Sequence, residues 1–245
     1  MSPAARRKRA TAVVVSGTPR RLHGTVEGTV DASALSVALE GAEVRQLTVF
    51  PTKRDSPDTI RFAIHVAPET PPGRYEGTVD LGEHSLPIVA DVTAYPNVRS
   101  EPQTLMLEAS AEATVTTSVL MHNAGNVPCE IPTKSTFCLF DGSGFEHAFW
   151  AALTTEPTPE RRRIDILMDD LADYHGGLVR IRPAGRHPPI APGETRELKV
   201  SLRFSDRVRP QRSYVGAWDL PGVRLPIRVH GVGPSGPAEP ESEVS

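Results

Sequence analysis

Long apolar runs are missing from this sequence, and so is any large excess of one charge. No stretch approaches the roughly 18 consecutive apolar residues of a membrane-crossing helix, so no membrane span is expected. Lys and Arg number 27 against 30 Asp and Glu, a net charge of −3, which argues against a dedicated nucleic-acid surface. Aromatic residues make up only 5% of the chain, so its cores must be filled by Val, Leu, Ile and Ala. Two cysteines, Cys129 and Cys138, are too few for a disulfide scaffold or a four-ligand zinc site. They flank a predicted turn, so a bridge is geometrically conceivable, but packed, reduced thiols are the expectation. The eight histidines are scattered without zinc-motif spacing, and no glycine-rich phosphate loop follows a strand. Neither a cofactor nor a metal is expected.

Proline and glycine, in contrast, are plentiful. The 24 Pro and 19 Gly are spread along the chain, the punctuation expected between short strands. At the N-terminus Arg6, Arg7, Lys8 and Arg9 precede Ala10–Val15, but that run breaks at Ser16-Gly17 and meets Pro19-Arg20-Arg21. A secretory signal wants a longer apolar core. A cytoplasmic location is therefore expected, with a secreted or cell-surface one as the alternative. Residues 1–9 read as a solvated basic tail. Residues 233–245, rich in Gly, Pro, Ser and Glu, read as a disordered acidic one.

The most informative feature is an internal echo. Residues 71–88 read PPGRYEGTVDLGEHSLPI and residues 210–227 read PQRSYVGAWDLPGVRLPI. Without gaps, Pro71 falls on Pro210, Tyr75 on Tyr214, Gly77 on Gly216, Asp80-Leu81 on Asp219-Leu220, and Leu86-Pro87-Ile88 on Leu225-Pro226-Ile227. Upstream, after a one-residue loop change, Ile60, Phe62, Ile64 and Val66 align with Leu198, Val200, Leu202 and Phe204. Each copy thus holds an alternating, half-buried strand, a proline loop, and a Tyr-bearing strand that turns into a last one. A Tyr so placed suits a tyrosine corner, its hydroxyl bonding backbone in the preceding connection. Pro87 and Pro226 cannot donate to a ladder, which suits strand starts or sheet edges.

The proline loop with Tyr-x-Gly, Ala191-Pro192-Gly193-Glu194-Thr195 before the second copy, and His122-Asn123-Ala124-Gly125-Asn126-Val127-Pro128 together resemble bacterial immunoglobulin-like repeats. The resemblance implies a mostly β protein of two tandem immunoglobulin-like β-sandwiches and implies no catalytic residue. The first sandwich is expected over residues 10–97, with seven strands between Ala10 and Thr93. The second is expected over residues 98–232, across a short linker, Ala94-Tyr95-Pro96-Asn97, that couples them semi-rigidly.

The second domain is the longer, and its surplus lies between Gly142 and Gly177. Phe145, Phe149, Trp150 and Leu153 recur at helical spacing. Thr158 is placed as the N-cap of a second helix, with Pro159 at its first position and Glu160 near its positive end. Ile164, Leu167, Met168, Leu171 and Tyr174 form its apolar stripe, and Gly176-Gly177 ends it. Residues from about 144 to 176 are read as a two-helix insertion. Two roles stand for it: a recognition element, or a cover for one sheet.

The aspartates of this segment invite a metal reading, yet Asp165 and Asp169 alone cannot supply calcium's six to eight oxygens. Arg161, Arg162 and Arg163 stand one turn earlier and suit ion pairing instead. Asp141, Ser143 and His147 bring together a carboxylate, a hydroxyl and an imidazole, but without the spacing of a nucleophile elbow; Ser143 reads better as a helix cap. The sequence therefore favours a non-catalytic protein-interaction or scaffold module that is not an enzyme. Its binding residues are placed at Phe145, Phe149, Trp150, Arg161, Asp165 and Asp169, and its corner tyrosines at Tyr75 and Tyr214. A secreted, carbohydrate-associated module is the alternative, and a hydrolase using the Asp141–His147 segment the remotest reading.

Overall fold

The structure, a computed structural model, describes residues 12–27, 35–50, 59–82 and 84–233. The basic tail and nearly all of the acidic tail lie outside the described residues. The protein is mostly β, with two sheets in two compact units.

The first sheet contains β1 (Val13–Thr18), β2 (Arg21–Glu27), β3 (Leu35–Leu39), β4 (Val44–Phe50), β5 (Thr59–Val66), β6 (Gly73–Leu81) and β7 (Ser85–Val92), in the order β3-β6-β7-β1-β2-β5-β4. The period-two pattern read in β5 holds, with Ile60, Phe62, Ile64 and Val66 buried. They share one core with Val15 and Leu22 from β1 and β2, and with Val79 and Ile88 from β6 and β7. Strands from both halves of the sheet therefore face the same apolar interior, as in a β-sandwich.

The second sheet contains β8 (Val98–Glu101), β9 (Leu105–Ala109), β10 (Thr114–Asn123), β11 (Ser135–Asp141), β12 (His175–Pro183), β13 (Thr195–Arg203), β14 (Ser213–Leu220) and β15 (Val223–Gly231). Their order is β8-β10-β13-β12-β11-β14-β15-β9. Between β11 and β12 lie two helices, α1 (Gly144–Thr154) and α2 (Arg163–Asp173). The core is built on Val119, Leu139, Ile181, Leu198, Leu202, Trp218 and Ile227. Trp218, aligned with Val79, is a core residue in its turn, and its Nε1–H donates to Ser135 Oγ at 3.2 Å.

The echo in sequence is an echo in register. Gly77 pairs with Ile88 across β6 and β7, and Gly216 with Ile227 across β14 and β15. The structure carries the equivalence further than the sequence does. Val13 of β1 sits beside Ile88 in a parallel pairing, and Leu105 of β9 sits beside Ile227 in the same way. This also explains the prolines. The parallel partner strand begins one residue after Pro87 and after Pro226, so no ladder bond is asked of either missing N–H.

The first compact unit runs to Asn97 and also takes in Asn123–Cys129 and Ala191–Glu194, which lie inside the 98–232 span expected for the second sandwich. The reason is a buried amide. Asn126 Nδ2 donates to the carbonyls of Thr70 and Thr93, both at 3.0 Å, and its Oδ1 accepts the Tyr95 N–H at 2.6 Å. Asn123 does the same locally, donating to Val127 O and accepting from Gly125 N–H. An Asn buried without such partners is costly, so the motif is read by hydrogen-bond satisfaction. Cys129 and Cys138 are not joined in a disulfide; Cys129 is buried and Cys138 half-buried.

The two tyrosines make different bonds. Tyr75 Oη donates to Pro71 O at 2.8 Å from a half-exposed position. Tyr214 is 1% exposed, accepts the Arg209 N–H at 3.0 Å and reaches Arg207 O at 3.5 Å. Tyr214→Phe should therefore cost about 1–3 kcal/mol, because the part-buried Arg209 N–H loses its acceptor inside a closed corner, and Tyr75→Phe less than about 1 kcal/mol. Urea melts of the two variants check this; equal losses would contradict it.

Candidate functional site

The helix pair is seated from its C-terminal end. The loop between β13 and β14 carries Arg207, Arg209 and Arg212, and all three reach the end of α2. Arg207 Nη1 donates to Ala172 O at 3.3 Å, Arg212 Nη1 donates to Asp173 O at 3.2 Å, and Arg209 pairs with the Asp173 carboxylate at 3.4 Å. Cations at the last carbonyls satisfy orphan acceptors and oppose the negative end of the helix dipole. Arg212 also lies over the Tyr174 ring, 4.9 Å from its centroid, and within 4.0 Å of Asp141. The equivalent loop of the first unit, Ala67-Pro68-Glu69-Thr70-Pro71-Pro72-Gly73, has no arginine, and among the described residues of that unit there is no helix to hold.

Both ends of α2 differ from the sequence reading. Its first helical residue is Arg163, not Pro159, and its N-cap is Arg162, not Thr158. Thr158 and Arg161 instead bond each other's backbone in a tight turn, and the cap is made by Asp165, whose Oδ2 accepts the Arg162 N–H at 2.8 Å. A carboxylate reaching back to the N-cap amide does the work that a Thr hydroxyl was expected to do. At the other end the helix stops at Asp173, and Gly176-Gly177 belong to β12. A Cβ on Gly176 would lie 2.6 Å from the Tyr214 ring, and Gly177 has φ +81° against Ser205. The two glycines serve the close packing of strand on corner, not a helix stop.

The stripe read on α2 is also rotated. Ile166 is the buried residue of α2, while Ile164 and Met168 face solvent. Helix α1 inverts the usual rule altogether. Its buried positions are Gly144, Ala148 and Ala152, one turn apart each time, and a Cβ at Gly144 would collide with Tyr174. Small residues let α1 sit close to its support. The large ones point outward: Phe145 is 64% exposed, Phe149 50% and Trp150 68%, with Leu153 beside them. Phe145 and Phe149 stack on one another, ring centroids 6.2 Å apart, so they shelter each other without covering the face.

Of the residues singled out by sequence, Phe145, Phe149 and Trp150 thus gather on one exposed helix face. Arg161, Asp165 and Asp169 do not join them as free groups. Arg161 Nη2 donates to Asp169 Oδ2 at 2.9 Å, and Asp165 is occupied by Arg162. At the start of α1, Ser143 stands in the N-cap position, but its side chain makes no cap bond and donates to Asp141 Oδ1 at 3.1 Å. His147 Nδ1 contacts the Ser143 backbone carbonyl at 3.0 Å, not the hydroxyl, and its ring stacks on Tyr174. Carboxylate, hydroxyl and imidazole are close together without forming a relay. Among the described residues no group of three or more His, Cys, Asp or Glu converges as a metal site, and no helix is long and apolar enough to cross a membrane.

The arginines of the β13–β14 loop are what sequence reasoning missed. The signal was present in the echo, where Arg207, Arg209 and Arg212 have no counterparts.

No family model matches the chain, and no curated protein does. Solved structures do. A protein of unknown function from Porphyromonas gingivalis W83 is 11% identical, with 89% of this chain and 96% of that one covered and a TM-score of 0.27. A titin fragment, A168169, is 8% identical, with 91% and 96% covered and a TM-score of 0.28. Domains 4 and 5 of the S-layer protein SbsC are 11% identical, with 86% and 81% covered and a TM-score of 0.28. At these TM-scores the likeness carries no weight in assigning a function.

The Asp165 cap gives a pH signature. The Arg162 side chain, then the Arg162 N–H, hold its carboxyl below the usual aspartate range. A depressed folded value means that the contribution to α2 is present above the ordinary Asp value of about 3.9 and is lost as pH falls through the folded value. Asp165→Asn should lower the helical circular dichroism signal at neutral pH, with the difference from wild type vanishing in strong acid. An unchanged helical signal at neutral pH would contradict the capping role.

Proposed function

We propose that this chain is a non-catalytic protein-interaction module made of two tandem immunoglobulin-like sandwiches, the second bearing a helical insertion that holds the binding face. Strand order supports the architecture. In the first unit, β1-β2-β5-β4 and β3-β6-β7 reproduce the two strand sets of a constant-type immunoglobulin domain, with β1 shared between them. In the second, β8-β10-β13-β12 and β11-β14-β15-β9 repeat that arrangement. The first unit crosses from β3 to β4 in residues 40–43, and the second crosses from β11 to β12 through both helices. The helices are therefore an addition to a sandwich that closes without them.

One observation carries the functional reading: α1 buries Gly144, Ala148 and Ala152 and exposes Phe145, Phe149 and Trp150. A helix whose task was to cover a sheet would turn its aromatics inward, where each would contribute about 1.5–3 kcal/mol. Clustered exposed aromatics instead mark interaction surfaces, and Trp and Phe are the anchors such interfaces use. The partner is thus a protein offering an apolar pocket. The exposure of Trp150 also favours a second reading, a carbohydrate platform. A sugar needs polar groups beside the ring to take its hydroxyls, and Glu146 and Thr154 stand exposed one turn to either side of Trp150, whereas the apolar face that Trp150 shares with Phe149 and Leu153 favours a protein pocket.

A photo-crosslinking residue in place of Trp150, in the full chain in its native cells, should trap a discrete protein. The same residue in place of Leu120, on β10, should not, and Phe149→Ser should reduce the yield at 150 about tenfold or more. No product at 150, or the same product at both positions, would contradict the assignment.

A further inference from the structure

The outer face of β10, β13 and β12 carries a different kind of surface. Across the register, Thr114 of β10 lies opposite Arg203 of β13, and Arg203 lies opposite Arg180 of β12. One step along, Ser201 lies opposite Arg182, and Lys199 points outward from β13 next to them. Two guanidinium groups directly opposed on neighbouring strands repel one another, an arrangement that normally costs stability. Sheets usually relieve it with a carboxylate in the next row. Here the facing positions on β10, Thr114 and Thr116, and Ser201 between the two basic residues of β13 are hydroxyls, the carboxylate of this row being Glu197, beyond Lys199; among the described residues none of Arg180, Arg182, Arg203 and Lys199 enters an ion pair or a side-chain hydrogen bond. The acids flanking the end of the patch, Glu112 and Asp206, line the adjoining depression without pairing with either arginine. Thr114, Arg180, Arg182, Ser201 and Arg203 together line a concavity of about 220 Å³.

We infer that this concavity is a binding site for a phosphate or sulfate group. A guanidinium fork matches the edge of a tetrahedral oxyanion with two parallel N–H···O bonds, and opposed strands bring the Arg180 and Arg203 forks to it from two sides. Cα atoms of such a pair are about 5 Å apart, so one anion reaches both side chains. Arg182 supplies a third cation, and the Thr114 and Ser201 hydroxyls are donors for the remaining oxygens. A dianion suits three converging cations better than a carboxylate does. None of the residues lining the concavity is aromatic, which leaves nothing to stack on a nucleobase or a sugar ring. The site is separate from the aromatic face of α1 and does not rest on the function proposed for it.

The test is a titration of the full chain with inorganic phosphate and with sulfate, at constant ionic strength held with chloride, following backbone amide and arginine Nε–H resonances. Saturable shifts centred on Arg180, Ser201 and Arg203 are expected, weakened about tenfold or more in both Arg180→Gln and Arg203→Gln. Arg228→Gln, on β15, should leave them unchanged. O-phosphoserine and a monosaccharide sulfate form the second arm: tighter binding of either ester than of its inorganic ion assigns the site to a group carried on a larger ligand, and the reverse assigns it to the free ion. Melting temperatures provide a check independent of any loss of fold. In chloride alone Arg203→Gln should melt at or above wild type, because a repulsion is removed, and phosphate should raise the wild type only. Shifts that grow linearly with anion, that chloride reproduces, or that survive in both Gln variants would overturn the proposal.

Discussion

The geometry of the second unit's candidate site depends on one hydroxyl. Tyr214 Oη is buried, and by taking the Arg209 N–H and reaching Arg207 O it fixes the course of the loop between β13 and β14. With the loop fixed, Arg207, Arg209 and Arg212 are aimed at the last turn of α2. Tyr174, at the end of that turn, lies under Arg212 and against Gly144, and so positions the first residue of α1. The chain of contacts runs from a sandwich corner to a helix face, and each link is a satisfied polar group or a close approach that only glycine permits. In the first unit Tyr75 makes a single bond, to Pro71 O, and no arginine follows from it. The same corner serves closure in one unit and support in the other.

Much of the fold was legible because period-two burial and proline punctuation are local signals. The seven strands read in residues 10–97 correspond to β1–β7, and the echo located β5–β7 and β13–β15 as equivalent strands, whose matching registers the structure supplies. What local signals could not supply was pairing at a distance. The parallel seating of β1 on β7 and of β9 on β15 leaves no mark on residue type beyond the prolines that stop it. Nor could they show that Asn126 bonds Thr70 and Thr93, since Asn123-Ala124-Gly125-Asn126 reads as an ordinary turn until the depth of its amide is known.

The helices show where propensity misleads. Thr158-Pro159-Glu160 has the composition of a helix start, yet the turn between Thr158 and Arg161 uses those residues and Asp165 caps the helix instead. The apolar spacing in α1 was read correctly, but spacing alone does not say which face is buried. Phe145, Phe149 and Trp150 share one side of the helix, and Gly144, Ala148 and Ala152 share another. Close packing chose the small residue at the start of the helix, because a Cβ at Gly144 would already meet the Tyr174 side chain. The charged members of the predicted site, Arg161, Asp165 and Asp169, proved to be part of the scaffold that keeps α2 in place.

The central claim is that the helix pair is added to a sandwich that does not need it for closure. Excising residues 144–173 and joining Ser143 to Tyr174 through a short Gly/Ser turn tests this most directly, provided that Gly176 and Gly177 are kept for their packing on Tyr214 and Ser205. Closing the shorter loop changes the entropy by only about 0.6 kcal/mol per halving of length. Native-state hydrogen exchange, residue by residue, is the measurement. Amides of β10, β13, β14 and β15 should keep their protection, and the shortened chain should unfold cooperatively. Loss of protection across those strands, or aggregation of the shortened chain, would show that the helices are a cover for the core and would contradict the account.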